Sequence, residues 1–314
     1  MNDRSVRRVG LALRDPLPWH ELVLAAETAE RTGYDTLLMP EITGREAFGT
    51  LAGLARATFK IKLASGVVTL SSRKPDVIAM SAATVNELSY GRMILGIGAG
   101  TPGPGSLVRM RRMVEFLRRT FAGEKVDIGG GEWFQLSLPP QEVAIWIAAL
   151  GPRTMRLAGE IADGLLLNWC TPERVRQARA LVDEGALAAG RPYSDVTVAV
   201  YVRACVGPGQ EEGDAVQALK QALSQYASIP HYRRHFELMG FRVEAAAAAE
   251  GRVPDELVKA LCLFGDAAAA RERLESYREA GADLPVVYPV PCLDPVSSIN
   301  GTILAQAPDP SGRR

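Results

Sequence analysis

The sequence predicts an α/β fold of the TIM type, a (β/α)8 barrel carrying a hairpin insertion and a helical insertion near its C-terminal face. Three observations predict it. Four times, a helical stretch runs into a short Gly, Ser or Asp turn and then a compact apolar run. Those runs are continuously apolar rather than alternating, as parallel strands buried on both faces require. Eight such runs alternating with helices fill the 314 residues, which favours a closed barrel over a doubly wound sheet. No linker divides them, so 1–314 reads as one domain.

The expected strands are 6–13, 36–39, 61–68, 93–97, 144–149, 165–168, 196–204 and 286–288. In the first helix, 19–31, Leu22, Ala26 and Ala29 share a face, and Gly33 suits its end. Pro75 suits a first helical position. After it, Val77, Met80, Thr84 and Leu88 repeat at helical spacing, so they are the expected buried face. Residues 124–140 read as a hairpin turning at Gly129-Gly130-Gly131. Residues 217–263 read as helical, with an Ala-rich run at 244–250 that suits a helix or a flexible cover.

Composition removes whole classes. The 36 basic and 36 acidic residues cancel, which argues against a generic nucleic-acid binder. No stretch approaches the 18 apolar residues of a membrane span, and the polar start MNDRSVRR does not read as a signal peptide. Four scattered cysteines without a CxxC pair fit reduced thiols and a cytoplasmic location.

Chemistry concentrates at strand ends, where barrel enzymes keep it. Gly98, Gly100 and Gly103 formally satisfy GxGxxG. Pro102 and Pro104 break the required strand-to-helix turn, so a dinucleotide fingerprint loses to a backbone-exposing loop for a flat or phosphorylated ligand. A merely flexible turn is the plain alternative. Gly151 and Pro152 open a helix whose first amides, with Arg153, suit a phosphate. Gly66, within Ser65 to Arg73, suggests a bulge followed by hydroxyls and a guanidinium for a polar tail; a βα loop with capping serines fits nearly as well. Glu41 closes the second strand as an acid or base, or as the partner of Arg45 in a structural ion pair. The five arginines of 109–119 read as a solvated helix face or as attraction for an anionic cofactor tail. His231 and His235 share a helical face without a third ligand, so a surface or lid role is expected and no metal site. Asn168, Trp169, Cys170 and Arg203 line the same mouth without assignable roles.

Ordered motifs carry a family resemblance: GYDTLLMPE at 33–41, LASGVV at 63–68 with SRKP at 72–75, NELSYGR at 86–92 leading into LGIGAG, and GPR at 151–153 through LAGEIADG at 157–164. The chain resembles the bacterial-luciferase-like superfamily, and within it the coenzyme F420-dependent, methylenetetrahydromethanopterin-reductase-like branch. The resemblance covers most of 6–205 and is weaker across 217–263. It implies an F420-dependent oxidoreductase that moves a hydride between the deazaflavin and a small organic substrate. An FMN-dependent monooxygenase and a non-catalytic flavin-binding protein are the alternatives. A cis peptide at Ser65–Gly66 or Gly66–Val67 would back the cofactor ring, flanked by Ser65, Gly66, Val67 and Thr69. Gly98, Gly100 and Thr101 would follow the side chain, and Gly151, Pro152, Arg153 and Thr154 would surround its phosphate. Many relatives carry Asp-His at the end of strand two. Here Glu41-Ile42 stands instead, so Glu41 inherits the proton-transfer role. Dimerisation is common in the superfamily, making a homodimer an expected assembly.

Overall fold

Short strands whose two faces are both apolar can satisfy their backbones only by parallel pairing under a cover of helices, and here the sheet so formed closes. The computed structural model describes residues 7–14 and 16–308. Its strands are β1 (Gly10–Ala12), β2 (Thr36–Met39), β3 (Lys62–Ser65), β4 (Val68–Thr69), β5 (Met93–Gly98), β6 (Val126–Gly129) and β7 (Glu132–Phe134). They continue with β8 (Ala144–Ala148), β9 (Gly164–Asn168), β10 (Thr197–Cys205), β11 (Cys262–Phe264) and β12 (Leu284–Pro289). The helices are α1 (Trp19–Thr32), α2 (Ala47–Ala57), α3 (Pro75–Leu88), α4 (Ser106–Phe121), α5 (Pro152–Ile161) and α6 (Pro172–Ala188). After them come α7 (Glu212–Ala227), α8 (Pro230–Leu238), α9 (Arg242–Ala249), α10 (Asp255–Leu261), α11 (Ala267–Glu279) and α12 (Pro295–Ala305).

The closed parallel order is β1-β2-β3-β5-β8-β9-β10-β12, with β12 returning to β1 through Gly10 opposite Val286. The eight expected strands coincide with these eight. The first is shorter than 6–13, and residue 6 lies outside the described residues. The third is interrupted after Ser65 and resumes as β4, which pairs with β5. The expected hairpin is β6–β7, turning through Gly129, Gly130 and Gly131, all at positive φ. The expected helical insertion is α7 to α10, and the Ala-rich run lies largely in α9.

Side chains alternate across each strand, so every second residue enters the barrel. Leu38, Ala64, Ile94, Trp146, Leu166, Ala199 and Val286 fill the interior, and above them Tyr201 and Tyr288 approach the mouth. The other face of each strand packs on the helices. There α1 buries Leu22, Ala25, Ala26 and Ala29, as its periodicity requires. The expected face of α3 is corrected: Val77 and Met80 are exposed, while Ile78, Ala79, Ala82, Ala83 and Val85 are buried. Three of these five are alanines, which fill the space beside Ile78 and Val85 with little bulk. No described helix is long and apolar enough to cross a membrane.

A second apolar cluster, including Trp169, Leu219, Leu223, Phe236 and Leu257, seats the α7–α10 insertion over the strand ends. His235 docks α8 there. Its Nε2–H donates to the Trp169 carbonyl at 3.0 Å, and the residue is buried. Of the surface and lid roles expected of it, the structure places it beneath the cover. Burial, helped by the charge of Arg174, pushes its pKa down to about 4.

Two predictions follow from the packing. A Cβ on Gly96 would stand 2.0 Å from the Ser65 carbonyl oxygen, so Gly96→Ala is expected to lower stability by about 1–3 kcal/mol in denaturant unfolding. For His235, the unfolded chain binds more protons between about pH 4 and the ordinary value near 6.5. Docking is therefore strongest above pH 6.5 and weakens as pH falls towards 4. The protection of α8 amides, measured relative to the intrinsic exchange rate at each pH, should fall over that window in the native chain. His235→Gln, which keeps a donor but does not titrate, should flatten the response.

Candidate active site

The break between β3 and β4 shapes the site. Ser65 is buried, and its hydroxyl both donates to Gly96 O at 2.9 Å and accepts from Gly96 N at 3.0 Å. That hydroxyl therefore fastens β3 to β5, while the chain after it swings into the barrel mouth. Gly66 N donates to Met39 O at 2.9 Å, and the Gly66–Val67 peptide is cis, one of the two bonds indicated by the resemblance. Gly66 O accepts from the Tyr201 hydroxyl at 2.8 Å. A Cβ on Gly66 would lie 1.9 Å from that hydroxyl, so only glycine permits the contact.

Gly66, Val67 and Thr69 line a cavity of about 360 Å³ at the strand ends, together with Glu41, Ala148, Leu166, Asn168, Tyr201, Arg203 and Tyr288. Tyr226, Ile229 and Tyr232, from α7, the loop after it and α8, cover its outer side. Sequence-expected Glu41, Gly66, Val67 and Thr69 are thus brought together.

Glu41 does not pair with Arg45, whose guanidinium donates to Leu17 O at 2.8 Å. Its partner is Arg73, which forks onto both carboxylate oxygens at 2.6 and 2.7 Å and reaches Glu46 at 2.6 Å. The Ala47 amide donates to Glu41 as well, at 2.9 Å. Burial alone pushes the Glu41 carboxyl up, but the Arg73 fork and the Ala47 N–H outweigh it and hold the group below the usual carboxylate range. Arg73, expected to bind a ligand tail, is committed to these two carboxylates.

The remaining expected residues lie outside the cavity lining. Gly98 ends β5, Gly100 has φ +71°, and Thr101 is exposed. Gly151 caps α5 without a side-chain hydrogen bond, Pro152 and Arg153 are exposed, and Thr154 is half-buried. Ile97 of β5 pairs with Ile147 of β8, so both loops leave neighbouring strands at the same end. The arginines of α4 divide. Arg111 pairs with Glu160, Arg118 with Asp163 and Arg119 with Glu124, so most of them tie α4 to its surroundings. Arg118 also lies roughly 18 Å along the helix from its mouth end.

Sequence reasoning passed over the tyrosines. Tyr201 and Tyr288 stack edge to face at 5.2 Å, and Tyr226 meets Tyr232 at 4.8 Å. The Asn168 amide donates to the Tyr232 hydroxyl at 2.7 Å. The available signal was their spacing: Tyr201 and Arg203 are two apart on a buried strand and so share its inward face.

Comparison with known proteins agrees with this architecture. The chain is 27% identical over 302 residues to the 5,10-methylenetetrahydromethanopterin reductase of Archaeoglobus fulgidus, covering 87% of this chain and 91% of that one. It is 28% identical over 295 residues to the F420-dependent glucose-6-phosphate dehydrogenase of Nocardia farcinica, covering 83% and 85%. Among solved structures, an F420-dependent secondary alcohol dehydrogenase in complex with an F420-acetone adduct superposes with a TM-score of 0.80 at 19% identity, covering 98% of this chain and 100% of that one. A family model described as luciferase-like monooxygenase matches residues 5–284, and the chain belongs to that family.

Proposed function

We propose that the protein is an F420-dependent oxidoreductase that transfers a hydride between the deazaflavin and a small organic substrate. One observation carries the reading: Gly66, which has no side chain, and Val67 line the cavity across the cis peptide, with apolar Ala148 and Leu166 also lining it. A planar ring fits such a wall, where side chains would hold it off. The names of the curated relatives support the choice of cofactor.

The chain's own residues divide the work. Val67 and Gly66 back the ring, Thr69 flanks it, and Ser65 acts through the backbone by fixing Gly96. Gly98, Gly100 and Thr101 follow the cofactor side chain. The α5 N-terminus, whose first amides lack intrahelical acceptors, suits the phosphate through Gly151 to Thr154, with Arg153 adding charge. When bound, the deazaflavin supplies hydride transfer at C5 without oxygen activation. The covering tyrosines exclude water and hold the substrate close to the ring. Glu41 faces the cavity as a carboxylate, so near neutral pH it accepts the proton released on substrate oxidation and has none to donate.

Fluorescence titration with F420 and FMN tests the reading. Preferential binding of F420, followed by its reduction or oxidation with a substrate, is expected. Tight binding of FMN alone would instead favour a monooxygenase. Gly66→Ala should weaken F420 binding by tenfold or more. Glu41→Gln should lower turnover at least tenfold with cofactor affinity unchanged. In the native enzyme, the acid limb of turnover should lie below the ordinary carboxylate value near 4.3, because Arg73 holds Glu41 ionised.

A further inference from the structure

Arg203 is a buried cation without an anion. It is 3% exposed, lines the cavity, and forms no ion pair among the described residues. Its Nη1 donates to the Asn168 amide oxygen, and its Nη2 makes a long 3.4 Å contact with the Tyr226 hydroxyl. Aromatic rings supply the rest of its surroundings. The guanidinium carbon lies 4.1 Å from the Tyr288 ring centre and 4.3 Å from that of Trp169, with Tyr226 at 5.4 Å and Tyr201 at 5.6 Å.

Ring faces and neutral acceptors offset only part of the cost of removing a full charge from water. The cavity does hold one carboxylate, Glu41, but Arg73 already occupies both of its oxygens. Arg14 also lines the cavity, next to the Tyr288 hydroxyl, so the free charge facing the space is positive.

We infer that Arg203 is the anchor for a carboxylate group on the substrate, which makes the substrate a small organic acid. This deepens the oxidoreductase reading and rests on it for the reaction, though not for the binding site. A guanidinium fork matches the two oxygens of a carboxylate. The electron-rich ring faces around it disfavour the denser charge of a phosphate dianion. Asn168, hydrogen-bonded to both Arg203 and Tyr232, sets the fork's orientation and links it to the cover. The Tyr201 hydroxyl, bonded to Gly66 O, joins this end of the cavity to the ring wall.

The test titrates the full-length protein, with and without F420, against acetate, benzoate and succinate. Acetamide, benzamide and inorganic phosphate serve as comparators. At least one carboxylate should bind ten times more tightly than its amide and than phosphate, in both states of the protein. Arg203→Met should abolish that preference while F420 affinity stays within twofold. Asn168→Asp provides an independent arm, placing a carboxylate of the same shape against the guanidinium. It should raise Tm and remove carboxylate binding, because the counter-ion is then built in. Equal binding of acids and amides, binding of no probe, tighter binding of phosphate, or an unchanged preference in either variant would overturn the assignment. Failure of F420 to bind sinks the cofactor reading but leaves the carboxylate result standing.

Discussion

The fastening of Gly96 by the Ser65 hydroxyl holds two neighbouring strands together at the point where one of them leaves the barrel. Because that hydroxyl is saturated by a single backbone residue, β3 is pinned at its end and the following backbone is free to turn inwards. The turn needs room. Gly66 leaves space for the Tyr201 hydroxyl, Gly96 for the Ser65 carbonyl and Gly98 for Val67. Gly66 and two glycines of β5 thus serve one purpose, which is to make room for the Ser65–Val67 segment as it enters the mouth. Tyr201 completes the arrangement from the opposite side by binding the Gly66 carbonyl.

The mouth above this segment is assembled from two parts, the barrel strands and the α7–α10 insertion. The largely buried barrel strands carry Asn168, Tyr201 and Tyr288, and Gly66 lies between β3 and β4. The cover comes from an inserted segment with its own small core, attached through Phe236, Trp169 and the neutral His235. Protonation of His235 on acidification therefore weakens the attachment of the cover at Trp169.

Much of this fold was legible because the strand signal is physical and local. Runs such as TLLM and GLLLN are apolar on both faces, and parallel burial is what such runs can satisfy. The face of α3 was not legible. Apolar residues lie on both faces of α3, so spacing alone did not tell the buried set Ile78, Ala79, Ala82, Ala83 and Val85 from the exposed Val77 and Met80. Of the glycines singled out in the sequence, Gly66 lines the cavity, while Gly98 and Gly151 lie at the ends of β5 and α5 outside its lining. The pairing of Arg73 with Glu41 was not visible, because the two are 32 positions apart and meet only when the segments after β2 and β4 come together in the fold. Tyr226 and Tyr232 were hidden for the same reason, since nothing in a helical insertion states which barrel end it will cover.

Neutrality of the whole chain, 36 charges against 36, acquires a local meaning at the mouth. Arg73 is shared between Glu41 and Glu46, and arginines of α4 are spent on Glu160, Asp163 and Glu124. Pairing of this kind satisfies charge within the protein and leaves nothing for a ligand. Arg203 departs from the pattern, being more deeply buried than any of these, yet its neighbours are an amide and four aromatic rings. Arg203 has the lowest exposure of the arginines among the described residues and forms no ion pair with any of them, so its burial carries a cost in stability. The missing negative charge belongs to whatever enters the cavity, so the same side chain that burdens the empty protein gives the site its selectivity.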